Sequence, residues 1–104
     1  MESNLYQVYV DPKADQKLAG HMEFLARVSE AAALRLFESY EKALRFLAKT
    51  PASCPLYFPQ KPIDVELRCW LFGKRYRIVF EIIGSAVFVY DIQDCRQDFD
   101  KSLV

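Results

Sequence analysis

Leu5, Gln7 and Tyr9 alternate with Tyr6, Val8 and Val10, and β-branched and aromatic types dominate the run, so Asn4 to Val10 is expected to form a half-buried strand. Asp11-Pro12 then supplies a good N-cap followed by a proline that fits only the first helical turn, where its missing N–H costs nothing. Leu18, Met22, Leu25 and Val28 recur at intervals of four, three and three, the stripe of an amphipathic helix that ends near Arg27 or Val28. Ser29 offers a second cap, after which Ala33, Leu36, Phe37, Tyr40, Leu44 and Leu47 predict another helix to about Lys49. Glu38 with Lys42 and Glu41 with Arg45 add i, i+4 pairs worth about 0.2–0.5 kcal/mol each. The two helices are expected to pack as an antiparallel hairpin.

From Thr50 to Pro62 four prolines, Pro51, Pro55, Pro59 and Pro62, remove backbone donors and bias their predecessors away from helix. This segment reads as an ordered linker pinned to the body by Tyr57-Phe58. Three strands follow, Val65 to Phe72, Arg75 to Ile83 and Ala86 to Gln93, separated by Gly73-Lys74 and Gly84-Ser85, which read as two-residue hairpin loops. Phe99 to Val104 reads as a short tail. The prediction is an α+β domain spanning residues 1–104: an N-terminal strand, a helix hairpin, then a three-stranded antiparallel meander with the helices on one face.

Two-residue loops fix a register: Phe72 opposite Arg75, Trp70 opposite Arg77, Arg68 opposite Val79, Ile82 opposite Val87 and Val79 opposite Tyr90. One face then carries Leu67, Cys69, Leu71, Tyr76, Ile78, Phe80, Ile82, Val87 and Val89, and is expected to take the helices. The other carries Arg68, Trp70, Arg77, Val79, Glu81, Phe88 and Tyr90. An uncovered sheet face rich in aromatics and arginines is a binding surface by default. The bland alternative is a cross-strand stack of Trp70 on Arg77, worth about 0.5–1 kcal/mol when exposed.

Charge sharpens this reading. Fourteen basic residues balance fourteen acidic ones, seven and seven in each half, so no global field draws in nucleic acid or a membrane. Arg68, Lys74, Arg75 and Arg77 form a local basic run with no acid between them. A 104-residue chain that is 52% hydrophobic and 27% charged can bury a single core without a disulfide framework. Three scattered cysteines, Cys54, Cys69 and Cys95, and one histidine, His21, support neither a zinc site nor a disulfide scaffold. No cofactor or metal is expected. No secretory leader or membrane span is read, and the expected compartment is the cytoplasm. His21 sits beside the Leu18, Met22, Leu25 stripe and reads as structural.

The segments YQVYVDPKADQKLAGHMEFLA, AALRLFESYEKALRFLAKTP, VELRCWLFGKRYRIVFEI and AVFVYDIQDCRQD, in that order, resemble the RelE/ParE superfamily of type II toxin–antitoxin systems and plasmid stabilisation proteins. Arg75 to Phe80 and the Leu-x-x-x-Pro close of the second helix, Leu47 to Pro51, carry the likeness best. In the RelE branch it implies cleavage of mRNA in the ribosomal A site, with Arg68, Arg77 and Arg96 as the basic set and Tyr90 standing in as proton donor. Such chemistry needs fixed cations and a proton donor around the phosphoryl group. Near its C-terminus, where that branch uses tyrosine or histidine, this chain has Cys95, Gln97 and Phe99. The ParE branch, which keeps the scaffold without the nuclease set and poisons DNA gyrase, is the better likeness.

The resemblance therefore implies a growth-inhibiting toxin neutralised by a small antitoxin and making no direct DNA contact of its own. Its implied binding set for target or antitoxin is Arg68, Trp70, Lys74, Arg75, Arg77, Phe88, Tyr90 and Arg96. A ribosome-dependent endonuclease and a non-toxic co-repressor that only binds its antitoxin are the alternatives.

Overall fold

Asp11 caps the first helix through its side chain, which accepts from the Lys13 backbone N–H at 2.8 Å, and Pro12 opens α1 (Pro12–Ala26). Ser29 repeats the device, its Oγ accepting from Ala32 N–H at 3.1 Å, and starts α2 (Glu30–Lys49). The computed structural model describes residues 5–96, so the expected tail at Phe99 to Val104 lies outside the described residues, as does Asn4. The strands are β1 (Gln7–Val10), β2 (Leu56–Tyr57), β3 (Leu67–Phe72), β4 (Tyr76–Ile83) and β5 (Ala86–Asp94).

The predicted meander is the centre of a five-stranded sheet ordered β1-β5-β4-β3-β2. β1 pairs in parallel with β5, and the linker contributes β2 as an antiparallel edge on β3. The linker also holds a 3-10 turn at Pro51–Ser53. Both helices cover one side of the sheet. Leu18 of α1 and Leu36, Tyr40, Ala43 and Leu47 of α2 pack on Ile78, Phe80, Val87, Val89 and Ile92. Val28, expected to close the α1 stripe, is 83% exposed because the helix stops at Ala26.

The register of β3 corrects the sequence reading. Phe72 pairs with Tyr76, Trp70 with Ile78 and Arg68 with Phe80, so the β3–β4 connection is three residues, Gly73, Lys74 and Arg75, instead of two. Gly73 (φ +59°) and Lys74 (φ +73°) both take left-handed backbone there. A side chain at Gly73 would also meet Leu36 at 3.2 Å. Because side chains alternate along a strand, the one-residue shift turns every side chain of β3 to the opposite face. Arg68, Trp70 and Phe72 lie on the helix side; Cys69 and Leu71 lie on the open side, with Leu71 58% exposed.

The Gly84-Ser85 loop is two residues as predicted, with Ile82 opposite Val87. Farther along, a bulge between Val79 and Phe80 leaves Val79 opposite Asp91, and Tyr90 becomes the extra residue of β5.

Tyr40 ties α2 to α1. It is buried, and its phenol is pushed up to about 12, first by burial and then by the charge and hydrogen bond of Asp15. A phenol whose folded pKa exceeds its unfolded value stabilises the fold fully below the unfolded pKa, about 10, and loses that contribution as pH rises toward 12. Urea denaturation between pH 9 and 12 should therefore show stability falling more steeply in the parent protein than in Tyr40→Phe.

Candidate functional site

The face opposite the helices is built from Tyr9, Tyr57, Cys69, Leu71, Arg77, Glu81, Phe88, Tyr90 and Gln93, brought together by the pairings of all five strands. At its centre Gln93 Oε1 accepts from Arg77 Nε at 2.9 Å and from Arg77 Nη2. The Gln93 amide donates to Tyr57 Oη at 3.1 Å and to Asp91 Oδ2 at 3.0 Å. The Arg77 guanidinium lies 4.9 Å from the centroid of the Tyr57 ring. Asp91 in turn accepts from Lys17 Nζ at 2.7 Å, joining the network to α1.

Arg77 therefore lies on the open face, as its sequence position suggested, but its partners are Tyr57 and Gln93. The alternative of a Trp70–Arg77 stack does not form either. Trp70 instead lies under α2, its indole stacked on Phe46 at 4.3 Å with an interplanar angle of 12°. Arg68 also turns away from Arg77. Its Nη1 donates to the Cys54 carbonyl at 2.6 Å and its Nη2 lies 3.7 Å from Glu66. The expected open-face trio of Arg68, Trp70 and Arg77 is thus reduced to Arg77, because the extra loop residue inverts β3.

Phe88 and Tyr90 lie on the open face as expected. Phe88 stacks on Tyr9 at 5.2 Å, and the Tyr90 hydroxyl donates to Glu81 Oε1 at 2.7 Å. That hydrogen bond, with smaller contributions from desolvation and from the charges of Glu81 and Asp11, raises the Tyr90 phenol above its ordinary value. Arg96 lies just beyond β5, exposed, with its backbone N–H donating to Asp94 at 3.1 Å. Lys74 and Arg75 sit in the β3–β4 turn, and Arg75 Nη2 lies 3.6 Å from buried Asp94. His21 is part-buried, its Nε2 3.3 Å from the Ile92 carbonyl oxygen.

Three members of this network, Tyr57, Asp91 and Gln93, were missed as site residues. Tyr57 was expected to pin the linker, and it does so through Arg77 and Gln93, while its neighbour Phe58 is 81% exposed. The alternation along β5 could have placed Asp91 and Gln93 only if the bulge at Tyr90 had been recognised. Burial pushes the Cys54 thiol up to about 11, and Cys69 is raised for the same first reason. Among the described residues no group of three His, Cys, Asp or Glu side chains is placed to hold a metal ion, and no helix is long and apolar enough to cross a membrane.

This strand, helix hairpin and mixed five-stranded sheet is the architecture of a solved toxin–antitoxin component. A chain from the chromosomal ParDE TA system of P. aeruginosa superposes with a TM-score of 0.69 at 13% sequence identity, covering 88% of this chain and 98% of that one. Comparison with curated proteins gives no match. The model of the family described as ParE toxin of type II toxin-antitoxin system, parDE, matches residues 8–99, and the chain belongs to that family.

Proposed function

We propose that this protein is a cytoplasmic toxin that acts by binding a protein target, with DNA gyrase the first candidate, and that a small antitoxin neutralises it. The observation that carries the reading is the state of the open face. Arg77 is engaged by Gln93 and Tyr57, Arg68 is tied back to Cys54 on the helix side, and the Tyr90 hydroxyl donates its hydrogen bond to Glu81. RNA cleavage calls for cations and a proton donor converging on one phosphate, whereas each of these groups is held by a separate partner.

What that face offers instead is aromatic and apolar surface, Tyr9, Leu71, Phe88 and Tyr90, of the kind that recognises protein. The helix hairpin adds exposed Phe24, Leu34 and Phe37, a surface suited to an amphipathic segment of the antitoxin. Induction of the protein alone should arrest growth, and co-expression of the antitoxin should restore it. The purified protein should inhibit gyrase supercoiling, while primer extension on induced cells should find transcripts uncut. Growth arrest with cuts inside translated codons would overturn the protein-target reading in favour of the nuclease.

A further inference from the structure

We infer that the pocket between α2 and the β3–β4 turn is the anchor for an acidic side chain of a partner peptide, carried next to an apolar one. The inference rests on the antitoxin reading above and gives that partner a specific chemistry. The cavity, about 510 Å³, lies on the helix side, away from Arg77. Its walls divide by character. Leu25, Leu36 and Tyr76 supply apolar surface, while Arg35, Lys74 and Arg75 bring three cations to it.

No carboxylate lines the pocket, and among the described residues neither Arg35 nor Lys74 has an acid within ion-pair distance. Only Arg75 is countered, by buried Asp94 behind it. Three positive charges against one leave an excess that an incoming carboxylate would neutralise.

Lys74 holds a left-handed backbone at φ +73° as part of the tight turn, a conformation that a glycine would adopt without strain. One further observation points to a ligand. Arg75 is fixed by its contact with Asp94 and by lying 5.3 Å from the Tyr76 ring centroid, yet its Nε–H is buried without an acceptor. A buried donor left unpaired is unfavourable, and an acceptor reached by a small shift of this 29% exposed side chain would relieve it.

The partner is peptide and not a nucleic-acid backbone because the cations surround one apolar-walled cavity in a chain of zero net charge. A phosphate backbone is held by an extended basic track.

The test is a titration of the ¹⁵N-labelled full chain with acetyl-Glu-Leu-amide, followed by NMR. The amides of Gly73 and Lys74 and the Arg75 Nε–H should shift saturably, and acetyl-Gln-Leu-amide should leave them in place. Arg35→Gln with Lys74→Gln should weaken binding about tenfold, as expected for the loss of two partly exposed charge contacts. Lys74→Gly separates fold from function: it should raise Tm by relieving the strained backbone while weakening the peptide. Inorganic phosphate that moves the same signals as strongly would make this a free-anion site and overturn the peptide anchor, as would shifts centred on Arg77 or none at all.

The titration requires neither toxicity nor an antitoxin. A chain that binds the peptide without arresting growth sinks the toxin reading alone; one that arrests growth but ignores the peptide sinks this inference alone.

Discussion

Trp70→Ala is expected to destabilise the protein by about 3 kcal/mol and to lower its melting temperature by roughly 12–24 °C. The indole is stacked on Phe46 of α2 and belongs to the packing around the core, so its removal opens a void that the helix and sheet close only in part. Were Trp70 on the open face, the same substitution would change stability by no more than about 0.5 kcal/mol and would register in partner affinity instead. Thermal unfolding separates the two directly, and a melting temperature within a few degrees of the parent would refute the placement. Trp70→Phe, which keeps an aromatic ring against Phe46, should recover much of the loss.

Phe80→Ala is expected to cost still more, about 3–5 kcal/mol, because Phe80 is wholly buried at the middle of the central strand. It sits opposite Arg68 on one side and Val89 on the other, at the bulge where β5 changes register. That loss is a large fraction of the roughly 5–15 kcal/mol by which a domain is stable, so the variant should unfold at a much lower urea concentration than the parent. Arg77→Ala, by contrast, removes a part-exposed guanidinium and leaves the core untouched. If the two variants unfolded at the same urea concentration, the core assigned to the helix side of the sheet would be wrong.

Local chemistry made much of the architecture legible. Asp11-Pro12 and Ser29 mark both helix starts, and the Leu36, Tyr40, Leu47 stripe identifies the buried side of α2. The Gly84-Ser85 turn gives the β4–β5 register up to the bulge. The β3–β4 turn defeated the same reasoning for a definite reason. Gly73-Lys74 looks like a two-residue loop, and only the pairing of Phe72 with Tyr76 across the sheet shows that Arg75 belongs to the turn as well. One residue of loop length then decides which face of β3 is wet.

Leu67, Cys69 and Leu71 are as apolar as a core face should be, and Arg68 beside Trp70 reads as a surface pair, so composition pointed the wrong way at the strand that mattered most. Long-range closure was also out of reach. The parallel pairing of β1 with β5 joins residues about eighty positions apart, and the two-residue β2 is too short to carry a periodic signal. The same gap hid the site. Tyr57 meets Arg77 only because β2 adds to the sheet edge, and Gln93 meets both only because the bulge at Tyr90 shifts the end of β5.

The cross-strand register of β3 on β4 is the point on which the open face, the buried indole and the pocket at the turn all depend. Interstrand nuclear Overhauser contacts measure it directly. The expected spectrum links Trp70 to Ile78 and Leu71 to Arg77 across the strands and the Trp70 indole protons to the Phe46 ring. A spectrum that instead linked Trp70 to Arg77, with no contact between the indole and α2, would contradict it.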